Sequence, residues 1–84
     1  MGTPVKKWER GSIAIAVERG KDHMCHEDTH VHIYKRGRRT DSRIPGGNAD
    51  LDRKDYETAE KLYRENYREI VKYCDEVKHG VYGD

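Results

Sequence analysis

SIAIAVE, from Ser12 to Glu18, decides how the rest of the chain is read. Ile13, Ile15 and Val17 alternate with Ala14 and Ala16, so branched side chains fall on one face of an extended segment and small ones on the other. A period of two built from β-branched residues marks a strand packed on one side. HVHIYK, from His30 to Lys35, repeats the pattern, with Val31 and Ile33 on one face and His30, His32 and Tyr34 on the other. The polar stretch RGKDHMCHEDT connects the two. Lys35-Arg36-Gly37-Arg38 has the composition of a hairpin turn, with glycine where φ must be positive. A third strand is expected from Arg39 to Ile44, ended by Pro45-Gly46-Gly47-Asn48.

Beyond Asp52 the period changes. Apolar or aromatic residues fall at 56, 59, 63, 67, 70, 74 and 77, in steps of three and four, which predicts a helix over 53–79. Asp52 is placed to cap its start and Gly80 to end it. A straight helix of that length is about 40 Å long, whereas a domain of this size is only about 26 Å across. The helix must overhang its sheet, bend, or pack against a second copy. The expected fold is therefore α+β: a three-stranded antiparallel sheet covered on one face by a long C-terminal helix. Residues 1–11 are expected as a flexible N-terminal segment with Trp8 as an anchor, 12–80 as a single domain, and 81–84 as a tail.

Composition limits function. The 84 residues are 33% hydrophobic and 39% charged, with no Phe and two leucines, Leu51 and Leu62. The core must come from Ile13, Ile15, Val17, Val31, Ile33, Ile70 and tyrosine rings, which leaves little room for a deep substrate cavity. Large enzyme folds are excluded, and a surface site or an interface is favoured. No apolar run approaches the ~20 residues that span a bilayer, nothing resembles a secretory signal, and two cysteines are too few for a disulfide scaffold. A cytoplasmic chain with free thiols, not at a membrane, is the expectation. Charge is uneven: residues 1–44 carry ten Lys/Arg against six Asp/Glu, and residues 45–84 seven against ten. The cationic peak, KRGRRTDSR from Lys35 to Arg43, suits phosphate backbones or acidic protein surfaces. A solvated hairpin kept soluble by arginine is the plainer alternative.

HMCHEDTHVH, from His23 to His32, concentrates four of the five histidines and one of the two cysteines. His30 and His32 lie two apart on a strand, so both imidazoles project from one side. With Cys25 and His26 from the preceding connection they supply N and S donors of the kind zinc takes, with Asp22, Glu27, Asp28, Cys74 and His79 in reserve. The spacing matches no standard zinc finger, ribbon or knuckle, so no cofactor is required and zinc is the candidate ion. The same pair beside Arg38 and Arg39 is also the equipment for metal-free RNA cleavage, with His30 and His32 as acid and base. A third reading makes Tyr34, Lys35, Arg36, Arg38, Arg39 and Arg43 a surface for a protein partner or nucleic acid, and a fourth leaves the face inert in water. Tyr56, Tyr63, Tyr67 and Tyr73, at helical spacing, are read as core rather than base-stacking rings.

THVHIYKRGRRT, with GSIAIAVE before it and ENYREIVKYCDEVKHG after, resembles a small prokaryotic family known as a domain of unknown function, number forty-one-sixty. The likeness spans roughly residues 10 to 80 and is most specific at His30-x-His32 and Glu65-Asn66-Tyr67-Arg68-Glu69; Thr29 stands where the family usually has proline. It implies a compact α+β fold and genes near toxin–antitoxin pairs, with no established reaction. A fainter likeness, His-x-Tyr-Lys-x-Gly-Arg-Arg-Thr from His32 to Thr40, is similar to small mRNA-cleaving toxins, whose N-terminal helix is missing here. The expected function is a non-enzymatic binding module, a toxin–antitoxin-like or regulatory component and a candidate homodimer. A ribonuclease-like toxin or a zinc module is the alternative.

Overall fold

The computed structural model describes residues 3–19 and 29–81. Among them the chain forms four strands and two helices: β1 (Thr3–Arg10), β2 (Ile13–Arg19), β3 (Val31–Lys35), β4 (Arg38–Ile44), α1 (Arg53–Glu65) and α2 (Tyr67–Lys78). The strands form one antiparallel sheet in the order β1-β2-β3-β4. Both helices pack on the face that carries the branched residues of β2 and β3. Ile13, Ile15, Val17, Val31, Ile33 and Ile44 meet Ala59, Leu62 and Ile70 in the main core.

The expected three-stranded sheet under one long helix is corrected at two points. The fourth strand is β1, from the stretch expected to be loose. It pairs with β2 in the register Trp8↔Ile15 and Arg10↔Ile13, with a bulge between Pro4 and Lys6. Lys6, Lys7, Glu9 and Arg10 hide the strand pattern, because an edge strand carries charge that discourages further pairing. What secures it comes from the distant helices. The Trp8 indole N–H donates to Glu69 at 3.3 Å, its ring meets Tyr73 edge-on at 6.0 Å, and Arg10 pairs with Glu65 at 2.7 Å.

The second correction is a bend. The helix breaks at Asn66, whose backbone leaves the helical basin at φ −115, ψ 17. Its side-chain amide donates to the Leu62 carbonyl at 2.9 Å, and its own N–H reaches that same oxygen at 3.1 Å. Segments of 13 and 12 residues, about 20 and 18 Å long, fit within extents of 34 × 24 × 20 Å. The break also rephases the stripe: Leu62 and Ile70 are buried, while Tyr67 is 47% exposed. Asp52 precedes α1 in an extended conformation without a side-chain cap. Gly80, at φ +76, ends α2, with the Val81 N–H reaching the Glu76 carbonyl and the Gly80 N–H that of Val77.

The connection between layers is organised by Ser42, which is fully buried on β4. Its hydroxyl lies 2.8 Å from Asp50 Oδ1 and 3.0 Å from Asn48 Oδ1, and accepts from the Ala49 amide at 2.9 Å. Asn48 in turn brackets Leu51, donating to its carbonyl at 2.6 Å and accepting from its N–H at 2.8 Å. The amide of Asp41, with the Ser42 hydroxyl, holds the Asp50 carboxyl below its usual range. No helix among the described residues is long and apolar enough to cross a membrane.

Candidate functional site

The second face of the sheet follows from the same alternation. Ala14, Ala16 and Glu18 project there from β2, and register places the rest beside them. Lys7 pairs with Ala16, Ala16 with His32, and His32 with Arg43; Glu9 pairs with Ala14, Ala14 with Tyr34, and Tyr34 with Arg39. The alanines leave space that longer side chains from neighbouring strands fill. Lys7 Nζ sits 4.5 Å from the centroid of the Tyr34 ring, a favourable cation–π placement.

The sequence suggested an open face carrying Tyr34. Instead Tyr34 is 8% exposed and forms a small second core with Ala14 and Ala16. It is not available to stack on a base. Its hydroxyl donates to Glu18 Oε2 at 2.5 Å, and Glu18 itself is 3% exposed. A carboxylate withdrawn from water is costly unless paired and hydrogen-bonded. Glu18 meets both conditions, because Arg39 reaches Oε1 at 3.2 Å. Burial, then the bond to Glu18 and that residue's negative charge, push the Tyr34 hydroxyl up to about 12; Arg39 acts the other way.

His32 completes the cluster. Its Nε2 lies 3.8 Å from Glu18 Oε1, and an Arg39 nitrogen lies 2.9 Å from Nδ1 and 3.2 Å from Nε2. The same Arg39 nitrogen is close to both ring nitrogens, so the guanidinium lies against the imidazole, with Glu18 beside them. His30, half-buried just before β3, places its ring 5.2 Å from that of His32, edge to face. The two imidazoles do share a side of the backbone. His30 is also tied to the helix layer, since the Cys74 thiol contacts its carbonyl oxygen at 3.4 Å. Burial pushes that thiol up.

The basic residues divide between faces. Lys35 turns to the helix side and pairs with Asp55 at 2.7 Å, so it leaves the proposed surface. Arg36, Arg38, Arg39 and Arg43 stay exposed. Arg43 lies beside His32, and its side chain occupies the space a Cβ at Gly46 would need, 2.7 Å from that point. Arg36 adopts φ 52, and its amide donates to the Ser12 carbonyl at 2.8 Å, which ties the two hairpin turns together.

For a metal, His30 and His32 come together, while Cys25 and His26 lie outside the described residues. Among the described residues no group of three or more His, Cys, Asp or Glu side chains is placed to hold an ion. His79, held in reserve, instead bonds Asp75 of its own helix at 2.8 Å. Two members of the cluster were missed in the sequence. Glu18 was legible in phase with Ala14 and Ala16; Lys7 was not, because its strand went unrecognised. No protein-family model, curated protein or solved structure matches the chain.

Proposed function

We propose that this chain is a binding module that takes the phosphate backbone of single-stranded nucleic acid on the sheet face opposite its helices. The observation that carries the reading is convergence: Lys7 from β1 and Arg39 and Arg43 from β4 flank Tyr34 and His32 of β3 from both sides. Arg36 extends the same charge to the hairpin tip, while Arg38, the cross-strand partner of Lys35, belongs to the helix-side face. Glu18 acts as an internal brace, orienting Arg39 from beneath. A flat, cationic sheet suits a single strand, which can lie along it, better than a duplex, whose major groove admits a protruding helix or ribbon. The likeness to a family found near toxin–antitoxin genes fits a regulatory component of this kind.

The test is fluorescence anisotropy with a labelled single-stranded RNA decamer between about 50 and 200 mM salt. Binding should weaken with salt, and Lys7→Ala or Arg43→Ala should each reduce the slope of log K against log[salt] by about 0.7. Absence of binding, or slopes unchanged in both variants, refutes the reading.

One observation favours a second reading, metal-free phosphodiester cleavage. His30 and His32 stand 5.2 Å apart with Arg39 against His32, an acid–base pair beside a cation able to stabilise developing phosphorane charge. RNA cut to a cyclic phosphate end by the wild type and left intact by a folded His32→Ala variant is the expected outcome. Equal cutting by both removes it.

A further inference from the structure

At the end of the sheet where both hairpins turn, a cavity of ≈ 100 Å³ opens, lined by Lys7, Glu9, Ser12, Tyr34, Arg36 and the turn glycines. Its walls are held in place. The amide of Arg36 ties one turn to the other at 2.8 Å, and Lys7 is seated over the Tyr34 ring. Tyr34 pairs directly with Arg39, so the cavity abuts the cationic row just described.

The charges of this cavity are mixed, and that restricts the occupant. A small free anion would face Glu9, and a cation would face Lys7 and Arg36. A ligand that satisfies both must offer N–H donors to the carboxylate and negative charge to the flanking cations. Its volume of ≈ 100 Å³ suits the edge of one ring system. A carboxylate only accepts, through two oxygens side by side. Unstacked bases are commonly read along their Watson–Crick edges. There guanine alone offers two adjacent donor groups, N1–H and the N2 amino group. Adenine and cytosine each place one amino group beside an acceptor nitrogen, and uracil flanks its single N–H with two carbonyls.

We infer that this cavity takes the Watson–Crick edge of an unstacked guanine, with Glu9 as the specificity-determining residue and Lys7 and Arg36 on the neighbouring phosphates. The inference rests on the nucleic-acid reading above and adds a base preference to it.

Anisotropy titrations with a uracil decamer, the same decamer with one central guanine, and one with inosine at that position test it. The guanine decamer should bind roughly tenfold tighter than the uracil decamer, in the range of a good bidentate base contact. Inosine, which lacks the N2 amino group, should lose most of that gain. In Glu9→Gln, with its fold verified by circular dichroism, the guanine and uracil decamers should agree within about twofold, because the amide replaces one of the paired acceptors with a donor. Equal affinity for the two decamers in the wild type overturns the guanine site and leaves backbone binding standing, as does a guanine preference that survives Glu9→Gln. Failure of every decamer to bind removes both.

Discussion

Replacing Tyr34 with Phe deletes one oxygen from the interior of the second face and leaves the ring in place. The lost group is the donor to Glu18 Oε2 at 2.5 Å, and Glu18 is too enclosed, at 3% exposure, for water to substitute freely. A hydrogen bond to a charged partner contributes about 1.5–3 kcal/mol. The hydroxyl's displacement from 10.0 to about 12 corresponds to about 2.7 kcal/mol at ~1.36 kcal/mol per unit. Burial is its first cause and the bond only the second, so the bond's share falls toward the lower figure. Tyr34→Phe should therefore cost about 1.5–2 kcal/mol, against a total of roughly 4–13 kcal/mol for a domain of this length. The midpoint of a thermal melt should drop by about 6–16 °C, and the urea midpoint by about 0.5–2 M. The pH dependence has a definite sign. Because the folded-state pKa lies above the unfolded one, the stabilisation is complete below about pH 10 and is lost as pH rises through about 12. The gap between wild type and variant should thus hold steady from neutral pH to about 10 and then close. A neutral-pH loss below about 0.5 kcal/mol refutes the reasoning, since it would mean that Glu18 has other means of solvation.

Other outcomes follow from the same packing. Ile70→Ala, which removes a fully buried side chain at the sheet–helix interface, should cost about 2–5 kcal/mol in urea unfolding. Gly80→Ala introduces a Cβ that meets nothing within 4 Å but forces φ +76 on a side-chain-bearing residue, so a loss of about 1 kcal/mol from backbone strain alone is expected on chemical denaturation. Arg10→Ala should change stability by less than about 1 kcal/mol, because both partners of its ion pair with Glu65 are half exposed. Cys74, its thiol pushed up by burial, should alkylate with iodoacetamide at neutral pH far more slowly than free cysteine and should reach the free rate in urea.

The parts of this molecule that could be read in advance are those where periodicity and burial coincide. Ile13, Ile15, Val17, Val31 and Ile33 sit where alternation places them, and Gly80 ends α2 as expected. β1 was hidden because its anchoring contacts, Trp8 with Glu69 and Tyr73, join residues some sixty positions apart. A local pattern does not carry such information. The bend at Asn66 was hidden for another reason: in the sequence the steps of three and four run on from Tyr63 through Tyr67 to Ile70 and give no sign that the turn at Asn66 brings Tyr67 to the surface. Length alone signalled it, since a straight helix outran the domain. At the candidate site the imidazole pair and the arginines were legible in HVHIYKRGRR. The enclosure of Tyr34 was not, because a tyrosine among histidines and lysines reads as an outward residue until its buried carboxylate partner is seen.

The contacts of Ser42 have a mechanical consequence. The chain leaves the sheet at Ile44 and enters the first helix at Arg53, and one hydroxyl clamps the crossing from the inside. The segment that joins the two layers is thereby fastened to β4 before the helix begins, so its course is set by the sheet rather than by the helix it leads into.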